Sequence, residues 1–164
     1  MRILGFDPGT LQMGIGLVDS QNGELVTPYY VCLKVPKNDL IEHRLMKLFD
    51  QIDRLLSELK PDLIAVEDPF VSKNPKTAIA IGQAQATILI AGAKHGIPIT
   101  RYAPKEIKKS ITDYGGASKD QVADMVKVIL GNIEIEGTND ITDALAVAIC
   151  HHNRIFMDQI IMEQ

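Results

Sequence analysis

Two short apolar segments of the chain end in the same way, with a carboxylate followed closely by a proline. RILGFDPG, residues 2–9, runs into Asp7, and LIAVEDPF, residues 63–70, runs into Glu67. Each apolar run has the length of a buried β-strand. An unpaired ionised carboxylate at the end of such a strand costs on the order of several kcal/mol. Each acid must therefore cap a turn or hold a cation, and this requirement limits how the chain can fold.

The hydrophobic pattern predicts five strands and five helices in a β-meander followed by alternating helices and strands. An Asn-Gly pair at 22–23 predicts a hairpin turn, and Asn38 and Asp39 are candidate caps of the first helix. The predicted strands are Arg2–Phe6, Met13–Val18, Leu25–Leu33, Leu63–Val66 and Ile97–Arg101, and the predicted helices are Ile41–Leu59, Pro75–His95, Ala103–Ile111, one from Ser118 to Gly131 and one from near Asp140. Residues 1–164 are therefore expected to form a single α/β domain with a mixed sheet.

The charge of the chain is unevenly distributed. Its net charge is −4, which alone argues against nucleic-acid binding. Residues 71–119 nevertheless carry eight basic and two acidic side chains, whereas the segments on either side are net negative. A positive block in an acidic chain is typical of a phosphate-binding face, although a solvated lysine surface is the simpler explanation of the charge taken alone.

Nothing in the sequence suggests secretion or a membrane span. The first residues lack a charged segment followed by an apolar one, and the longest uncharged stretch, Thr77–Ala93, is too short and too polar to cross a bilayer. Cys32 and Cys150 are widely separated and form no CxxC pair. We therefore expect reduced thiols in a cytoplasmic protein without a membrane partner.

The last predicted helix contributes two further acids. In NDITDALAVAI, residues 139–149, Asp140 and Asp143 are three residues apart and share a helix face. Asp140 could instead be an N-cap with Asp143 in the first turn, and Asp7 could be an ordinary turn acid. The joint presence of acids at two strand ends and on one helix face favours a site for Mg²⁺, which prefers hard oxygen ligands.

Several segments together resemble the RuvC family of Holliday-junction resolvases. They are LGFDPGT, AVEDPF followed by KN and GQA, YAPKEIKKS, GGASKDQV and DITDALAVAI, in the family's order and spacing across essentially the whole chain. The resemblance implies an RNase H-like fold, with a mixed five-stranded sheet and helices on both faces. It also implies a homodimer that cuts four-way DNA junctions by paired symmetric nicks, leaving 5′-phosphate and 3′-hydroxyl ends.

The resemblance also assigns roles to individual residues. It implies that Asp7, Glu67, Asp140 and Asp143 are catalytic and bind two Mg²⁺ ions, about 4 Å apart and replaceable by Mn²⁺, which activate a water and stabilise the leaving 3′ oxygen. The residues that it assigns to DNA binding are Phe70, Lys73, Lys108 and Lys119. Phe70 could stack on an unpaired base or pack back into the core.

The helix predicted at Pro75–His95 is apolar almost all round, which is typical of a helix covered on more than one side. One side can pack on the sheet and the other on a second subunit, whereas in a monomer the helix would be wholly internal. Three alternative functions remain: a nuclease of the same fold acting on other branched DNA or on RNA–DNA hybrids, an ATP-binding relative of the actin-like kinases, and a junction-binding protein that does not cut. The sequence leaves open whether a branch-migration motor is a partner of a nucleoid-associated enzyme.

Overall fold

The computed structural model describes residues 1–21, 23–69 and 75–162, so Asn22, Phe70 and Lys73 lie outside the described part of the chain. All ten predicted elements are present. The strands are β1 (Arg2–Asp7), β2 (Gln12–Gln21), β3 (Glu24–Lys34), β4 (Leu63–Glu67) and β5 (Ile99–Tyr102), and the helices are α1 (Ile41–Leu59), α2 (Pro75–Lys94), α3 (Pro104–Thr112), α4 (Lys119–Ile129) and α5 (Asn139–Met162).

The strands form one mixed sheet in the order β3-β2-β1-β4-β5. The first three strands are antiparallel neighbours, whereas β1 and β4, and β4 and β5, are parallel. Phe6 of β1 pairs with Val66 of β4, and each is followed directly by its acid. The predicted mixed five-stranded sheet is therefore confirmed, and Asp7 and Glu67 lie at the same edge.

Helices cover both faces of the sheet, as predicted. Leu4, Phe6 and Ile64 pack in one hydrophobic cluster with buried residues of α1 and α2. Ile3 and Ala65 point to the opposite face and pack with α3, α4 and α5. Because side chains alternate along a strand, Asp7 and Glu67 follow Ile3 and Ala65 and point toward α5.

Two glycines allow α5 to lie directly on the sheet. A Cβ atom at Gly5 of β1 would overlap the carbonyl oxygen of Ala144, and one at Gly14 of β2 would overlap the carbonyl oxygen of Asp140. Glycine within a strand is typical of such close backbone approach. The contact brings the first two turns of α5, which carry Asp140 and Asp143, next to the end of β1.

Two of the candidate helix caps need correction, although both helices begin where predicted. Asn38 and Asp39 do not cap α1, whose N-cap is Leu40 without a side-chain hydrogen bond, and Asp39 instead accepts a 2.6 Å hydrogen bond from Lys47. The alternative of Asp140 as an N-cap is also wrong, because α5 begins at Asn139 and includes it. The capping box predicted at Ser118 is confirmed, since Ser118 and Gln121 each accept a hydrogen bond from the other's backbone N–H.

Helix α2 is buried on one side only. Ala84, Ile88 and Ala91 are fully buried against the sheet, whereas Ile79 and Ile90 are 63% and 60% exposed. The exposed side is therefore an apolar surface, which contradicts a wholly internal helix. None of the helices in the described residues combines the length and the apolar character needed to cross a membrane.

Candidate active site

Three of the four predicted acids line a single cavity of about 320 Å³. Asp7 enters it from the end of β1, Glu67 from the end of β4 and Asp143 from the second turn of α5. Lys108 of α3 and Lys119 of α4 line the same cavity. The sheet edge and three helices thus bring together side chains that are up to 136 residues apart in the chain.

The Asp7 carboxyl lies in a strongly unfavourable place for a negative charge. Burial, and then the nearby Glu67, Asp143 and Asp140 carboxylates in that order, raise its pKa from 3.8 to about 8, while Lys119 acts in the opposite direction. Burial and like charges both favour the neutral form of an acid. One lysine therefore does not compensate the negative charge that converges on Asp7.

Glu67 shares this environment. Burial and the Asp143 carboxylate raise the pKa of Glu67 to about 7, against the lowering effect of Lys119 and Lys108. Two adjacent carboxyl groups thus retain protons near neutral pH when no cation is bound. A divalent cation would compete with these protons, because metal ligands must be deprotonated.

The two cavity lysines have different partners. The ammonium of Lys119 donates a 2.8 Å hydrogen bond to Asp143, and this bond is the main reason why the pKa of Lys119 is raised. Lys108 donates a 2.6 Å hydrogen bond to the carbonyl oxygen of Ala117. Since an ammonium has three N–H donors, Lys108 can also face a ligand in the cavity. A phosphate contact by Lys119 would require its ion pair with Asp143 to open.

Asp140 lies at the margin of this group. It does not line the cavity, and its Oδ2 lies 3.9 Å from the Sγ of Cys32, which donates to it. It nevertheless lies close enough to raise the pKa of Asp7. The structure therefore brings Asp7, Glu67 and Asp143 together and leaves Asp140 one helical turn away, beside β3.

The donor set fits a hard divalent cation in its chemistry. All four candidates are carboxylates, the ligands that Mg²⁺ prefers. In the described part of the chain, no three His, Cys, Asp or Glu side chains are already arranged to hold one ion. The Asp143 carboxylate is instead paired with Lys119 at 2.8 Å. A bound cation would thus require small side-chain movements.

Comparison with known proteins places this arrangement in a family. The sequence model of the family described as crossover junction endodeoxyribonuclease RuvC matches residues 3–151. The chain belongs to the RuvC family. It is 44% identical over 163 residues to the crossover junction endodeoxyribonuclease RuvC of Dehalococcoides mccartyi, an alignment that covers 99% of this chain and 98% of that protein.

Solved structures of the RuvC family also match. The Thermus thermophilus RuvC structure is 27% identical, with a TM-score of 0.89 and coverage of 96% of this chain and 97% of that one. T. thermophilus RuvC in complex with a Holliday junction substrate is 26% identical, with a TM-score of 0.86 and coverage of 96% of each chain. These matches confirm the predicted RNase H-like fold.

One residue beside the site was missed in the sequence as a functional candidate. Gln85 of α2 donates hydrogen bonds to the backbone carbonyl of Glu67 and to the carboxylate of Asp68. The RuvC-like segment GQA ends at Ala84, directly before Gln85, and no role was assigned to Gln85 from the sequence. The available signal was a polar residue in an otherwise apolar stretch of helix, which needs a buried partner.

Proposed function

We propose that the chain is a structure-selective endonuclease that resolves four-way DNA junctions by paired symmetric nicks, leaving 5′-phosphate and 3′-hydroxyl ends. The observation that carries the proposal is the cavity in which Asp7, Glu67 and Asp143 converge beside Lys108 and Lys119. Membership in the RuvC family supports it, as does the fold shared with a RuvC bound to a Holliday junction substrate. An acidic site flanked by basic side chains suits phosphodiester hydrolysis.

The four acids would hold Mg²⁺, with Mn²⁺ as a substitute. Asp7 is the central ligand in this proposal, because the carboxylates of the other three acids all raise its pKa. Bound as a pair, the metal ions would supply Lewis-acid activation of water and stabilisation of the leaving 3′ oxygen. Asp143 would be released from Lys119 to join the ligand set, and Asp140 would complete it from the preceding turn of α5.

The positive side chains around the cavity would bind the DNA backbone. Lys108 and Lys119 lie at its wall, and Lys119 is the first residue of α4, where free backbone N–H groups can assist in binding a phosphate. Phe70 and Lys73, which lie outside the described residues, remain proposed DNA contacts. Both follow Glu67 closely in sequence, so they would meet DNA near the scissile phosphate.

The proposed enzyme is a homodimer that associates through α2. The outer side of α2 carries the exposed Ile79, Ile90 and Ala93 and the half-buried Ala86, which recur at helical spacing. A two-fold dimer presents the same surface from both subunits and thus two identical cavities. A four-way junction offers two equivalent strands, so paired nicks would follow from this symmetry.

We further propose that residues 1–164 form one nuclease domain that acts in the cytoplasm on nucleoid DNA, where a branch-migration motor is a candidate partner. Two alternatives differ from this proposal in the nucleic acid that is cut or in whether any is cut. A nuclease for other branched DNA or for RNA–DNA hybrids would use the same four acids, and a non-cutting junction binder would need none of them. The retention of Asp7 and Glu67 in a costly buried site argues against the non-cutting protein.

A comparison of cleavage on three substrates tests the proposal. Labelled four-way junction, matched linear duplex and matched RNA–DNA hybrid are incubated with the protein in Mg²⁺, and the products are sized. We expect cleavage of the junction and little cleavage of the other two. Cleavage of the hybrid but not of the junction would show that the substrate is the RNA–DNA hybrid. Tight junction binding without cleavage of any substrate would favour the non-cutting alternative.

A further inference from the structure

Gln85 is a buried polar side chain on the apolar face of α2. It is 5% exposed and lies among the fully buried Ala84, Ile88 and Ala91. Its Nε2 donates to the carbonyl oxygen of Glu67 at 3.2 Å and to Oδ1 of Asp68 at 2.9 Å. Both partners are acceptors, so the amide nitrogen must face them. A buried amide without partners would be unfavourable, and the end of β4 and helix α2 are therefore tied together.

At its carboxyl end, β4 is paired with a neighbouring strand on one side only. Glu67 pairs with Tyr102 of β5, and the N–H of Asp68 donates a 2.8 Å hydrogen bond to the Tyr102 carbonyl. On the other side, the pairing of β4 with β1 ends at Val66. Beyond the end of the ladder with β1, the backbone of Glu67 is held on the α2 side by the amide of Gln85.

We propose that Gln85 is a positioning residue that fixes the backbone of Glu67 so that its carboxylate meets the metal ions. Cleavage would then depend on the position of α2 relative to the end of β4. The inference rests on the proposed function. Gln85 points inward from α2, and the next residue, Ala86, lies on the side proposed to meet the second subunit. The helix that would join the subunits is thus also the helix that holds a candidate metal ligand in place.

Partners that orient metal ligands typically contribute about 10–100-fold in metal affinity or activity. Loss of the Gln85 amide should act through the backbone of Glu67, because the amide donates its 3.2 Å hydrogen bond to the carbonyl of that residue. The expected defect is a higher Mg²⁺ requirement for cleavage. Junction binding should be unchanged, because Gln85 does not line the cavity.

The test compares Gln85→Met with Thr87→Val. Methionine has a similar length to glutamine but no amide. Thr87 is a matched control, because it is 6% exposed on the same helix and its hydroxyl donates to the Ala84 carbonyl within that helix. Single-turnover cleavage of a saturating four-way junction is measured against Mg²⁺ concentration, junction affinity is measured in Ca²⁺, and light scattering gives the oligomeric state.

We expect Gln85→Met to cut about 10–100-fold more slowly at limiting Mg²⁺ and to recover as Mg²⁺ is raised, with unchanged junction affinity and oligomeric state. Thr87→Val should match the wild type. Equal defects in the two variants, or a Gln85→Met curve that overlies the wild type, would overturn the positioning role.

Gln85→Asn serves if Gln85→Met does not fold, because it keeps the amide but is one methylene too short to reach both partners. It should show the same shift in Mg²⁺ dependence, and the absence of that shift would contradict the proposal.

The wild-type measurement distinguishes failure of the proposed function from failure of the positioning role. If the wild type does not cut the junction, the proposed function fails and the role of Gln85 fails with it. If the wild type cuts and the Gln85 variants cut equally well, only the positioning role fails.

Discussion

Replacement of Asp7 by asparagine should stabilise the metal-free protein at alkaline pH while abolishing cleavage. The pKa of Asp7 is raised from 3.8 to about 8 in the folded protein, mainly by burial and then by Glu67 and the two acids of α5. Asparagine has nearly the same shape as the protonated acid but cannot ionise. The substitution therefore removes an unfavourable charge together with a proposed metal ligand, as expected where function opposes stability.

The sign of the effect follows from proton linkage. Between about pH 4 and pH 8 the folded state holds a proton on Asp7 that the unfolded state has released, so the free energy of unfolding falls as pH rises through this window. Each unit of pKa shift corresponds to about 1.4 kcal/mol, and part of the shift is shared with Glu67 and Asp143, so we expect about 3–6 kcal/mol of stabilisation by Asp7→Asn at pH 9. Below about pH 4 the two proteins should be equally stable.

Urea denaturation followed by circular dichroism, in EDTA from pH 5 to pH 9, measures this difference. Asp53→Asn is the control of opposite sign, because hydrogen bonds from Lys94 and His95 lower the pKa of Asp53, so its removal should destabilise the protein above the pKa of the unfolded acid. The reasoning about Asp7 is refuted if Asp7→Asn is no more stable than the wild type at pH 9, or if both show the same decline with pH.

Two further predictions concern binding and assembly. Lys108→Ala and Lys119→Ala should each weaken junction binding and flatten its dependence on salt by up to about one unit of log–log slope; unchanged slopes in filter-binding titrations would place the DNA face elsewhere. Ile79→Glu and Ala86→Glu should give folded monomers that lose paired cutting, because a charge buried unpaired in the α2 contact costs roughly 3–5 kcal/mol. Val128→Glu, a comparably exposed apolar position on α4, should remain dimeric in light scattering, and dimers for both α2 variants would place the interface on another element.

The sequence was sufficient to predict that Asp7 and Glu67 meet. Each acid ends a short apolar run, a helix separates the two runs, and parallel strands joined by a crossover helix bring their carboxyl ends to the same edge. Asp143 followed from its spacing along an apolar helix face. These patterns are local, and the rules that connect them to the fold hold for most α/β proteins.

Contacts between distant elements were not predictable in the same way. The approach of α5 to the sheet depends on Gly5 and Gly14, each of which matches a backbone carbonyl more than 120 residues away in the chain. Gln85 is similar, because an amide in an apolar stretch indicates a buried partner but does not identify Glu67 as that partner. The wrong caps at Asn38 and Asp39 have another cause, since Asp39 has a competing partner in Lys47.

Cleavage of a four-way junction labelled on each strand in turn, with and without Mg²⁺, shows whether the protein is a metal-dependent resolvase. We expect two matched incisions on strands of like polarity, with 5′-phosphate ends, only when Mg²⁺ or Mn²⁺ is present. Glu67→Gln, Asp140→Asn and Asp143→Asn should nearly abolish these cuts and leave junction binding largely intact. Cleavage in EDTA at the rate seen in Mg²⁺, or cleavage by the Glu67 and Asp143 variants in Mg²⁺, would contradict metal-dependent cleavage by these acids.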